Sequence, residues 1–208
     1  NLAVVESWNG SSWTEVGDLN TARQQAGGAG TSTAAITFGG YATFTEPEAT
    51  TESWNGSSWT EVGDLNTERL YGAPAGTATS ALYAGGDDGA TPTVLAVAES
   101  WNGSAWTEVG DLNEGRSLVA GGGTSNTAAL AFGGYPGSGR TAKTESYNGS
   151  SWTEVADLSA ARGRQSNGPI GTQGSSLSVS GHPPSFPLTQ ATEEFTAPLE
   201  ATREFDAS

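Results

Sequence analysis

The chain has 208 residues, with 23 acidic against 8 basic side chains and a formal net charge of −15. That balance repels nucleic acid and anionic membranes, and no apolar run approaches the roughly 20 residues that span a bilayer. There is no Cys and no Met, and His182 is the single His, so neither a disulfide nor a convincing zinc or copper ligand set can be assembled and no cofactor is expected.

The first element in chain order is ESWNGSSWTEVGDLN at residues 6–20, and it returns nearly unchanged three more times. Glu6, Glu52, Glu99 and Glu145 open the copies, spaced 46, 47 and 46 residues apart. A period of this length marks one supersecondary unit used repeatedly. Within residues 21–66, Gln25–Gly30 is a small, Gly-rich strand and Thr33–Phe38 an apolar strand ended by Gly39-Gly40. Thr50–Trp54 and Ser58–Val62 are two further strands around Asn55-Gly56. Asn-Gly between aromatic-bearing runs is a strong hairpin signal, because both residues tolerate positive φ. No stretch shows sustained helical periodicity, so each unit is expected to be four short antiparallel strands.

The same punctuation divides the whole chain. Residues 1–20 hold the last two strands of a first unit, 21–66, 67–113 and 114–159 are full units, and 160–208 form a degenerate one. In that last unit Ser175–Ser180, Ala191–Phe195 and Ala201–Phe205 read as strands two, three and four, and Ser180-Gly181 replaces the paired glycines. An Arg comes after each connection between units, at Arg23, Arg69, Arg116 and Arg162. Residues 1–208 therefore read as one all-β repeat domain.

These residues resemble the kelch repeat: an apolar strand ending in Gly39-Gly40, then Glu52 and Trp54, then Trp59, then Arg69 past the fourth strand. The resemblance covers nearly the whole chain. It implies a β-propeller of four-stranded antiparallel blades, with the Gly-rich strand innermost and the Trp59-type strand outermost. Repeat arithmetic favours five blades, the first lacking its inner strands (~25–27 residues upstream); a four-bladed ring is the alternative. With no Met at its start, the chain is expected to be a piece of a longer one. The copies are also similar to kelch-like repeats of phage genomes that share Asn-Gly-Ser-Ser-Trp. That likeness implies a virion or extracellular location and contact with a host surface or with other virion subunits.

The aromatic pairs Trp8/Trp13, Trp54/Trp59, Trp101/Trp106 and Tyr147/Trp152 are expected to pack between neighbouring blades. Glu6, Glu52, Glu99 and Glu145 are expected to form structural ion pairs with the Arg23, Arg69, Arg116 and Arg162 column, written as Glu52/Arg69-type pairs. The variable segments lie elsewhere: between strands two and three (Tyr41–Ala49, Asp87–Val97, Tyr135–Lys143, His182–Gln190) and after strand four. In an antiparallel four-stranded blade both emerge on one face, whereas the turns of the other face hardly vary. Tyr41, Phe44, Asp87, Asp88, Tyr135, Arg140 and Lys143 are therefore the candidate binding residues. No nucleophile motif accompanies His182, so no catalytic residue is named and the chain reads as a non-enzymatic binder of a protein or glycan surface. A lectin-like module using Trp or Tyr platforms is the first alternative, and a glycan-acting hydrolase the second.

Overall fold

The computed structural model describes residues 1–43, 46–89, 93–164, 170–184 and 192–197, and these contain β-strands and no helix. A hairpin of β1 (Glu6–Trp8) and β2 (Trp13–Glu15) comes first. β3 (Gly27–Thr31) and β4 (Ala34–Phe38) are next, then a short ribbon of β5 (Tyr41–Thr43) and β6 (Glu46–Pro47). β7 (Thr51–Trp54) and β8 (Trp59–Glu61) complete an antiparallel sheet in the order β3-β4-β7-β8. The next sheet contains β9 (Ala73–Thr77), β10 (Ser80–Asp87), β11 (Val94–Trp101) and β12 (Trp106–Val109), paired in chain order. β13 (Ala120–Ser125), β14 (Ala128–Phe132), β15 (Thr144–Tyr147) and β16 (Trp152–Glu154) repeat that order. Last come β17 (Gly171–Thr172), β18 (Ser175–Val179) and β19 (Thr192–Thr196), in a three-stranded sheet. The expected strand at Ala201–Phe205 lies outside the described residues.

Alternation along the strands explains which face each sheet buries. In β4, Ile36 and Phe38 are buried while Ala35 and Thr37 are half-buried, the period of two that a strand imposes. The buried faces meet between sheets rather than within them. Ile36, Phe38 and Leu65 pack against Ala81, Tyr83, Trp101 and Trp106 of the next sheet. Ala73, Leu82, Ala84 and Ala98 pack likewise against Ala129, Ala131, Tyr147 and Trp152. The first strands lie side by side, β9 against β3 and β13, and β13 against β17. Gly121 shows why they are so poor in side chains: a Cβ there would sit 2.0 Å from the Pro74 carbonyl oxygen.

Each outer hairpin brings two aromatic residues together as a cross-strand pair. Trp54↔Trp59, Trp101↔Trp106 and Tyr147↔Trp152 are directly opposite, with ring centroids 5.0–5.5 Å apart. The turn between them contains the expected Asn-Gly, but only one of the two residues uses the positive φ that both tolerate. It is a four-residue loop in which only the glycine takes positive φ, +96° at Gly56. The Asn55 side-chain oxygen instead accepts from Ser57 N, Ser57 Oγ and Ser58 N at 2.9–3.0 Å. This Asx turn recurs at Asn9, Asn102 and Asn148.

The structure alters three other expectations. Trp106 is seated on the preceding sheet, 4.8 Å from the Phe38 ring, with its indole donating to Thr51 Oγ1, and Trp152 donates to Gly110 O in the same manner. Trp8 and Trp13 are instead 47% and 64% exposed and stack only on each other, because no preceding sheet lies against β1–β2 among the described residues. Trp59 is intermediate: its indole Nε1 is buried without a partner among the described residues, and Val5 stands at the repeat position that Thr51 holds for Trp106. Finally, both ends of the Asp87–Val97 segment are strand, at Asp87 and from Val94 on. β10 and β11 run on past a bulge at Ala84/Gly86 as far as the Asp87↔Val94 pair.

Candidate binding face

The connection that enters each sheet is clamped by a buried carboxylate on that sheet's third strand. Glu52 accepts from Asn20 N and Nδ2 at 2.7 and 2.9 Å through Oε2, and from Thr21 N and Arg23 Nη2 at 3.1 and 2.8 Å through Oε1. Glu99 takes Asn66, Thr67 and Arg69 in the same roles, and Glu145 takes Asn113 and Arg116. Ser159 and Arg162 hold Glu193. The ion pairs are thus Arg23–Glu52, Arg69–Glu99 and Arg116–Glu145, which corrects the Glu52/Arg69 pairing expected from the sequence. The reason is topological: the Arg enters the following sheet ahead of its first strand, beside that sheet's third strand. Glu6, the first member of the column, is exposed.

Burial by itself would raise the Glu52 carboxyl, but hydrogen bonds from Asn20, Thr21 and Arg23 outweigh it and hold the group below its ordinary value. In Glu99 burial is likewise overcome, here by the charge and hydrogen bond of Arg69 and by Asn66. Burial pushes the Arg116 guanidinium down, against the pull of Glu145. These clamps are scaffold, and each one sets the path of the residues just after its Arg.

The residue after each clamping Arg forms an isolated antiparallel bridge to the residue after the paired glycines: Gln24↔Tyr41, Leu70↔Asp87, Ser117↔Tyr135 and Gly163↔His182. Both hydrogen bonds of every bridge are made, at 2.7–3.1 Å. The connection after strand four and the segment between strands two and three therefore run together on one face. Tyr41, Asp87 and Tyr135 are brought to that face in equivalent places. Tyr135 is exposed and its hydroxyl donates to Gly137 O at 2.8 Å. Asp87 accepts from Gly89 N at 2.8 Å, and Asp88 is next to it in the turn.

The other candidates are placed differently. Lys143 bonds Glu114 at 3.2 Å and Glu154 at 3.8 Å, so its charge is already matched. The hydrogen bond and charge of Glu114 raise its ammonium. Arg140 is half-buried, with its Nε lacking a hydrogen-bond partner among the described residues. Phe44 lies outside the described residues.

One further set of positions was not singled out by sequence. The next residue along, at Gln25, Tyr71, Leu118 and Arg164, adopts left-handed backbone in all four units, with φ of +60°, +61°, +56° and +57°. The Gln25, Tyr71 and Arg164 side chains meet, and the Leu118 carbonyl accepts from Arg164 N at 3.1 Å. The Arg164 guanidinium lies over the Tyr71 ring, 5.8 Å from its centroid. Burial raises the Tyr71 phenol and Arg164 opposes that rise, as does a hydrogen bond from Gln25, whereas Tyr41 and Asp87 add to it. Residues from at least four connections and loops thus influence one phenol. The signal available in the sequence was the spacing alone: each of the four stands two residues after a clamping Arg, and no two are alike.

Among the described residues no group of three His, Asp or Glu side chains could hold a metal ion, and no helix is long and apolar enough to cross a membrane. Compared with known families and with curated proteins, the chain matches none.

Proposed function

We propose that this chain is a non-enzymatic binding module: a kelch-like β-propeller, five-bladed by its repeat arithmetic, that presents a diversified face to a partner surface. By the likeness of its repeats, that surface belongs to a phage host and the module is carried on a virion or its tail. The single observation that carries the binding reading is the left-handed position. A non-Gly residue in this conformation costs roughly 1–2 kcal/mol, and Gly or Asn would relieve it. Gln25, Tyr71, Leu118 and Arg164 hold it instead, each with a different side chain on the same backbone. Strain of this kind collects at ligand clamps, and variation on a constant scaffold is how recognition loops work.

Three full four-stranded sheets, a partial hairpin and a three-stranded sheet support the blade arithmetic, and so do the adjacent inner strands. Binding of the labelled chain to immobilised bacterial surfaces tests the function. Alanine at Tyr41, Tyr71, Asp87 or Arg164 is expected to remove binding while the melting temperature holds. Alanine at Ser57, Ser104 or Ser150, on the constant face, is expected to leave binding intact. Loss of binding from the constant-face changes alone would refute the reading.

A further inference from the structure

We propose that the cluster of Gln25, Tyr71, Leu118 and Arg164, with Asp87 at its edge, is a subsite for one sugar residue. The inference rests on the binding reading of this face and names the ligand class. The chemistry of the cluster selects for hydroxyl groups. Gln25 Oε1 has no hydrogen-bond partner among the described residues; it is covered in this state, and an outward turn of the side chain would offer it to a donor from the ligand. Asp87, bridged to Leu70 next to Tyr71, brings a carboxylate as a second acceptor. Arg164 is a donor only, exposed, with its guanidinium 5.8 Å from the centre of an aromatic ring.

A ligand that meets acceptors and donors side by side must both donate and accept, as a hydroxyl does. A carboxylate or phosphate would satisfy Arg164 but face Gln25 Oε1 and Asp87 with like polarity. A purely apolar group would leave all three unpaired. Half-buried Leu118 and Tyr71 supply the apolar surface that the C–H face of a sugar ring requires. The four Cα–Cβ directions are set by closely matched left-handed backbone, clamped two residues upstream by Arg23, Arg69, Arg116 and Arg162. Little conformational freedom is then lost when a ligand arrives.

The whole chain, fluorescently labelled, is titrated onto a panel of bacterial cells that are untreated, oxidised with periodate to cleave vicinal diols, or shaved with protease. Binding is expected to disappear after periodate and survive protease. Gln25→Ala and Arg164→Gly are each expected to weaken it about tenfold or more, on the scale of one lost hydrogen bond to a charged or buried group. Gln25→Ala leaves the backbone strain as it is and Arg164→Gly removes it, and their melting curves check that they fold. Binding that protease removes and periodate spares would overturn the sugar assignment while leaving the wider binding reading standing. Periodate-sensitive binding retained by both variants would overturn the placement of the subsite. No binding to any surface would sink the wider reading and this one with it.

Discussion

Arg164 and Tyr71 belong to connections two units apart, yet the Arg164 guanidinium lies 5.8 Å from the centre of the Tyr71 ring. The contact exists because both residues sit at the same left-handed backbone position, φ +57° and +61°, and the units bring those positions together. Strain and display are therefore properties of one atom set. Arg164→Gly is expected to stabilise the fold by about 1 kcal/mol, since Arg164 is exposed and its backbone strain is relieved, and at the same time to weaken ligand binding. Urea unfolding of the variant beside the parent measures the first effect; a lower midpoint for the variant would show that the position is not strained.

The clamping carboxylates set a pH dependence. The Glu52 and Glu99 carboxyls are held below the ordinary value of 4.5 in the folded chain. A depressed folded value means that the unfolded chain binds protons more readily. Their stabilisation is complete above about pH 4.5 and is lost as pH falls through the folded values. Melting temperature should therefore drop as pH is lowered from 4.5. Glu52→Gln should flatten part of that slope.

Removing one partner of a fully buried clamp should be far more damaging than removing the exposed copy. Glu99→Ala leaves the Arg69 guanidinium buried and unpaired, at a cost of about 3–5 kcal/mol. Glu6→Ala is expected to change stability by no more than about 0.5 kcal/mol. Chemical denaturation of the two variants distinguishes them, and equal effects would contradict the burial pattern.

The aromatic column should divide in the same way. Trp106→Ala removes an indole seated on Phe38 and hydrogen-bonded to Thr51, and about 3–5 kcal/mol of stability should go with it. Trp13→Ala, 64% exposed, should cost no more than about 1 kcal/mol. Tryptophan emission should report the difference too, since losing Trp106 removes a buried fluorophore and losing Trp13 a wet one.

The four-strand unit, its aromatic hairpin and its division along the chain were legible because a repeated sequence states its own period. Alternating burial in Ile36 and Phe38 comes from strand geometry, and the Asn55-Gly56 turn from residue chemistry. Pairing across units was not legible. The Glu52 and Arg69 columns each announce a buried charge, but copies 46 or 47 residues apart look alike from within the sequence, and only the path of the connection decides that Glu52 meets Arg23. The candidate binding residues show the same division. The variable segments marked the face, and Tyr41, Asp87 and Tyr135 stand on it. The left-handed positions escaped notice because φ is imposed there by the clamp and the bridge on either side, against the local preference of Gln, Tyr, Leu and Arg. Composition, charge and periodicity thus determined an acidic, all-β, repeated scaffold. Tertiary structure alone decided which copies of a repeated residue are buried, which are exposed, and which side chains of separate units meet, because those outcomes depend on the neighbouring sheet and not on the unit itself.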